Sequence, residues 1–331
     1  MPRPLPHELV VAIMEAGDKP TLAAWSRVSK ATCAVAQPLL WRDIEISLDE
    51  VAVGLLQSLL DGGEVAHLVT ATRTFTVEQN QDDTARRFSI DQIGLFTGLR
   101  SLKLVYLWLA GDLFRTPVTF AHLERLDLFW VVFPPSLQSA LLTRASFPAL
   151  RYLFLNAGDE ELPFLDPALL EQLDLIHLHG VDVSTASSGH VVHPSLLSIL
   201  ASSAPVFIEV WCELLAEYAR TTSRCNLLYN RDAGCGALTV WDQLEELADN
   251  FPLPPHSPRS IRLPPNLRND VDKLARVEAN CARFGTELIW WDRGASQDGN
   301  HEDLCAYGRE QRRQQREQAE KEAAGGQQAA V

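Results

Sequence analysis

An α/β solenoid of short parallel strands, backed by helices or turns and preceded by a small helical module, is the fold class that three observations in this sequence predict. A Leu-x-x-Leu-x-Leu pattern recurs four times, as Leu99/Leu102/Leu104, Leu123/Leu126/Leu128, Leu150/Leu153/Leu155 and Leu170/Leu173/Leu175. The first leucines, at 99, 123, 150 and 170, stand 24, 27 and 20 residues apart, within the period of about 20 to 29 used by leucine-rich repeats. Phe96, Phe120 and Phe147 each precede a first leucine by three residues, with Pro167 in that place in the fourth copy. The third observation is the change of pattern ahead of these copies, where the first forty-odd residues keep helical spacing.

Two leucines two apart on a strand point to the same side of the pleat. The first leucine and the phenylalanine fill the same core from the approach to the strand. One such unit cannot bury its own apolar face, so neighbours must stack and pair in parallel. The alternative is a chance cluster of leucines in an ordinary α/β protein, which four aligned copies at near-regular spacing disfavour. Outside the copies, strand-like alternation continues at Arg73 to Val77, Val206 to Trp211, Ser260 to Leu263 and Glu287 to Trp291, read as divergent repeats. Glu213 to Arg220 and Val240 to Asp249 read as helical, and the proline-rich stretch Phe251 to Pro258 as a loop. Val271, Leu274, Val277, Cys281 and Phe284 keep helical spacing, with Gly285 placed to cap that helix before the last strand.

The N-terminal helices follow from their punctuation. Pro6 suits a first helical position, Glu8 the first turn, and Leu9 and Ile13 lie one turn apart. Gly17-Asp18 ends that helix. Pro20 opens a second with Leu22, Trp25 and Val28, and Ser29 caps a third running through Cys33 and Ala36 toward Gln37. The predicted organisation is therefore a helical module at 1–47, a solenoid with irregular ends at 48–292, and a charged tail at 293–331, expected as a solvated helix or a disordered segment.

Composition bounds the function. The 331 residues carry 46% hydrophobic side chains, enough for a substantial core. Forty-three acidic against 29 basic residues give a net charge of −14, which repels a phosphate backbone and argues against nucleic acid as partner. The opening Met1-Pro2-Arg3-Pro4-Leu5-Pro6 does not read as a secretory signal, and the apolar runs near Leu104 to Ala110 and Leu128 to Phe133 fall short of the roughly 20 residues that cross a bilayer. A soluble cytoplasmic or nuclear protein is expected, with no membrane association. The six cysteines are widely spaced and form no Cys-x-x-Cys pair, so reduced thiols are the default.

Side chains between and beside the strand leucines should face the concave surface, where solenoids usually bind their partners. These are Ser101 and Lys103; Arg125, Asp127 and Phe129; Tyr152, Phe154 and Asn156; and Gln172 and Asp174. Aromatic residues around an arginine have the composition of interface hot spots, although Phe129 and Phe154 could instead cover a loop or the N-terminal helices. The acidic run Asp159-Glu160-Glu161 suits a basic partner or a solvated loop. His177 and His179, and His190 with His193, lack the order of a His-Glu-x-x-His zinc motif, and no nucleotide-binding or nucleophile-elbow motif is present. Cys235, flanked by Gly234 and Gly236, has no base placed beside it. No catalytic residue, metal site or cofactor is predicted.

The N-terminal run resembles an F-box. The resemblance spans roughly residues 5 to 44: Leu5-Pro6-x-Glu8-Leu9-Val10-x-x-Ile13, then Leu22 and Val28-Ser29-Lys30, then Leu40-Trp41-Arg42-x-Ile44. It implies a three-helix module that docks on a Skp-type adaptor, which joins a cullin scaffold and a RING subunit in an SCF ubiquitin ligase, while the repeats present a protein substrate. By position, Leu5, Pro6, Leu9 and Ile13 would form the leading contact edge, with Val28, Leu40 and Trp41 holding or extending the helical core. Together with the repeats and the terminal helix-Gly-strand, the chain looks like the F-box and leucine-rich-repeat proteins of fungi. The other reading is a leucine-rich-repeat interaction scaffold whose N-terminal helices merely cap the solenoid.

Overall fold

Each leucine pair becomes a five-residue strand because its alternation leaves one wholly apolar face, which only stacking against the next copy can bury. The computed structural model describes residues 7–47, 70–78, 87–88, 96–109, 119–129, 131, 142–156, 165–179, 206–210, 225–229, 260–263, 268, 271–290, and 305, 306, 309, 310, 312–314, 316, 317, 320 and 321. The chain divides into two compact units, one of residues 1–134 with 145–149 and one of residues 135–144 with 150–331.

The first unit begins with α1 (His7–Glu15), α2 (Lys19–Trp25) and α3 (Lys30–Leu40). Asp18 caps α2 through its carboxylate to the Thr21 N–H. Ser29 and Thr32 form a reciprocal capping box on α3. α3 continues past Gln37 through Pro38 to Leu40, and Trp41 closes it by donating its N–H to the Gln37 carbonyl. Met14, Leu22 and Ala36 are the buried centre of the three helices, with Val10, Trp25, Val35, Leu39 and Leu40 packed around them.

From α3 the chain enters β1 (Asp43–Ser47), so the segment that resembles the end of the F-box runs directly into the sheet. β1, β2 (Thr74–Glu78), β4 (Ser101–Val105) and β6 (Arg125–Phe129) pair in that order, all parallel. β3 (Arg87–Phe88) and β5 (Trp108–Leu109) form a separate two-stranded parallel ladder. The register puts Ile46, Val77, Leu104 and Leu128 in one column and Ile44, Phe75, Leu102 and Leu126 in another. The phenylalanines ahead of the strands touch one another and their neighbours: Phe120 stacks on Phe147 at 5.3 Å, and Phe96 meets Phe75 at 4.8 Å.

The second unit carries six parallel strands in a solenoid-like stack: β7 (Tyr152–Asn156), β8 (Leu175–His179), β9 (Val206–Val210), β10 (Cys225–Tyr229), β11 (Ser260–Leu263) and β12 (Glu287–Trp290). α4 (Pro167–Gln172) leads into β8 and α5 (Val271–Phe284) into β12. One aliphatic column runs through all six strands: Leu155, Leu178, Ile208, Leu227, Ile261 and Leu288. α5 ends in a Schellman motif, with Gly285 at φ +67°, its N–H on the Ala282 carbonyl and the Thr286 N–H on the Cys281 carbonyl. The divergent strands lie close to the sequence expectation, while β1, β10 and the short pair β3 and β5 were not anticipated. Residues 213–220, 240–249 and 251–258, assigned from sequence to helices and a loop, lie outside the described residues.

The pairing of β7 with β8 corrects the fourth repeat. Leu153 faces Ile176 and Leu155 faces Leu178, so the fourth copy is Leu173/Ile176/Leu178 and the expected Leu170/Leu173/Leu175 is three residues out. In the corrected frame Leu170 takes the place of the phenylalanine, and the first leucines, 150 and 173, are 23 apart. Leu170, Leu173, Ile176 and Leu178 are all at most 2% exposed, as their counterparts in the third copy are. A branched Ile fills the strand position as well as Leu does, which hid the repeat from a leucine-only pattern.

Candidate functional site

Two surfaces carry the residues to which sequence reasoning assigned binding. On the N-terminal helices, α1 turns Val10 and Met14 inward, so Leu9 and Ile13, one position back on the same helix, face outward. Leu9 is 51% exposed, Ile13 48% and Val28 72%. Val28, given to the helical core by position, therefore stands outside it. Leu40 packs against the core and Trp41 is half-buried. Leu5 and Pro6 lie outside the described residues.

On the strands, the alternate face is less open than the concave-surface expectation requires. Ser101 and Lys103 are half-buried on β4, and the Lys103 ammonium lies 5.8 Å from the centre of the Phe129 ring. Arg125 grips Asp127 through a two-pronged ion pair, with Nε to Oδ1 at 2.9 Å and Nη2 to Oδ2 at 2.7 Å, and Asp127 is only 1% exposed. In the second unit Phe154 is fully buried and meets the edge of the buried His177 at 5.5 Å. Asn156 closes β7. Asp174 donates its N–H to the Arg151 carbonyl one residue ahead of β8, so it belongs to the rim rather than the middle of the face.

Residues from the C-terminal end dock on Tyr152 of β7 and on the end of α4 ahead of β8. All described residues from 305 to 321 are helical. Cys305 is buried. The Arg309 guanidinium lies 5.9 Å from the centre of the Tyr152 ring and donates to its hydroxyl at 2.9 Å. Burial pushes the Tyr152 hydroxyl above its ordinary pKa, against the opposing pull of Arg309. Arg312 donates to the Leu173 carbonyl at 2.8 and 3.0 Å and to the Glu171 carbonyl at 2.7 Å. It thereby holds the last turn of α4, where backbone carbonyls lack helical partners. Arg151 adds a bond to the Gln172 carbonyl at 3.2 Å, and Gln172 returns one to the Leu150 carbonyl. No apolar periodicity in the tail announces this docking. The signal that could have found it is the spacing of Arg309, Arg312 and Arg316, which shares one helix face.

Among the described residues no group of three or more His, Cys, Asp or Glu could hold a metal ion. His190, His193, Cys235 and the acidic run 159–161 lie outside the described residues. No described helix is long and apolar enough to cross a membrane. The class these features define is a protein of stacked parallel-strand repeats with a three-helix unit leading into the first strand. No protein-family model matches the chain, and no curated protein matches it in sequence.

Proposed function

We propose that this chain is a leucine-rich-repeat substrate-recognition adaptor of an SCF-type ubiquitin ligase. Its N-terminal helices bind a Skp-type adaptor, itself carried on a cullin scaffold, and its repeats hold a protein target. Its contribution is positioning, with ubiquitin transfer carried out on other subunits and no catalytic group or cofactor supplied by this chain.

The observation that carries the reading is the outward apolar set Leu9, Ile13 and Val28 on a helical unit that already has its own core in Met14, Leu22 and Ala36. Large apolar side chains left about half or more exposed on so small a unit mark a surface that another protein covers. The run of residues that resembles an F-box supplies the identity of that protein. A second reading, a repeat scaffold whose helices only cap the stack, is favoured by the direct passage of α3 into β1.

Binding of the full chain to a purified Skp-type adaptor by calorimetry separates the two readings. The ligase reading expects micromolar or tighter affinity, lost by at least about tenfold in the Leu9→Asp/Ile13→Asp variant with its helical circular dichroism intact. No binding by the parent chain, or equal binding by the variant, leaves the capping reading in its place.

A further inference from the structure

The helical residues at the C-terminal end and the rim of β7 and β8 enclose a cleft of about 510 Å³. Its walls are Arg151, Arg309, Arg312, Arg313 and Arg316 together with Asp174, Glu317 and Glu320. Five guanidinium groups against three carboxylates make this place positive in a chain whose net charge is −14.

The way the arginines are held matters more than their number. Arg151 donates to a backbone carbonyl and Arg309 to a neutral phenol, so both are positioned without being neutralised. Arg316 makes no hydrogen bond or ion pair among the described residues. Arg313 is matched on its own helix, by Glu310 at 2.7 Å and Glu317 at 4.0 Å. Burial lowers Arg312 below the ordinary arginine range, Asp174 opposes this, and the neighbours Arg316 and Arg151 add smaller pushes downward against Glu171.

We propose that this cleft binds a short acidic segment of a partner protein, whose carboxylates pair with Arg151, Arg309 and Arg316. A peptide suits it better than a nucleic acid. The cationic groups gather in one cleft of bounded volume, and the chain around it carries a net charge of −14, which repels a long phosphate backbone more than a short segment. Arginine pairs with planar carboxylates through two parallel N–H donors, which fixes orientation as well as charge. The volume lies within the range of well-formed ligand sites, and Tyr152 and Asp174, both assigned to target binding from sequence, stand beside it. The inference is independent of the adaptor reading, since no residue of the N-terminal helices enters it.

The test uses the full chain and a fluorescein-labelled hexaglutamate peptide, read by anisotropy at low salt. The expected result is saturable binding that weakens as salt rises and is competed by unlabelled peptide. Arg316→Ala, at an exposed side chain with no bonds to lose, weakens it several-fold. The Arg151→Gln/Arg316→Ala pair weakens it by about tenfold or more, and Arg316→Lys restores part of the loss. Absence of peptide binding, equal binding of a hexaglutamine control, unchanged affinity in the double variant, or capture of an RNA oligonucleotide or anionic vesicles in preference to the peptide each overturns the proposal.

Discussion

Replacing Arg312 by alanine tests whether the C-terminal helical residues are fastened to the repeats by this one side chain. Arg312 makes three hydrogen bonds of 2.7 to 3.0 Å to the carbonyls of Glu171 and Leu173. A bond from a charged donor is worth about 1.5 to 3 kcal/mol on truncation. These three share one fork, and water reaches the freed carbonyls once the arginine is gone, so one bond's worth is the reasonable loss. That corresponds to a population of the undocked state raised about 10- to 150-fold. Cys305 reports it directly, because its thiol is 6% exposed when the helix is seated. Thiol labelling resolved by peptide mass spectrometry should accelerate at Cys305 by that factor, with Cys33 on α3 as the internal standard. Arg312→Lys, which keeps the charge but loses the fork, should fall between the two. Labelling of Cys305 within about twofold of the parent chain in Arg312→Ala would show that the helix is held by something else.

Two further outcomes follow from burial. Leu153→Ala, at a fully buried position in the middle of the repeat core, should cost about 2 to 5 kcal/mol in urea denaturation, whereas Leu9→Ala at its half-exposed site should stay within about 0.5 kcal/mol. Burial, helped by Glu278, pushes the Cys281 thiol up to about 11. The folded chain therefore keeps this proton to higher pH than the unfolded one, so the stabilisation is complete below the ordinary thiol range and is lost as pH rises toward 11. The urea midpoint of the parent chain should fall between pH 8 and 11 more steeply than that of Cys281→Ala, and parallel curves would refute it.

How far the sequence could be read depended on whether a feature was local. The strand leucines, the Ser29 cap and Gly285 are set by spacing within a few residues, and the structure has them where the spacing puts them. The fourth repeat slipped because Leu170, Leu173 and Leu175 satisfy the leucine pattern that Leu173, Ile176 and Leu178 satisfy in space, and only strand pairing distinguishes them. β10 was missed because Cys-Asn-Leu-Leu-Tyr places two leucines side by side and shows no alternation. The arginine cleft joins residues 151 and 174 to residues 309–320, and no local pattern reports so distant an association. Asp127 and Phe154 were assigned to an open face by alternation alone, which gives the direction of a side chain but not what covers it.

The carbonyl just ahead of each strand has a consequence for how the first unit yields to force. Arg42 accepts the N–H groups of Arg73 and Thr74, Arg73 those of Arg100 and Ser101, and Arg100 those of Glu124 and Arg125, at 2.7 to 3.0 Å. β1, β2 and β4 are thus each clasped to the next strand of the ladder at the same rim, and a pull across the ladder puts the same load on each clasp in series, so that they give way singly and not as one block. Such a unit should open a strand at a time at low load and reclose in the reverse order. An optical trap would record this as a staircase of small steps, not one large rip.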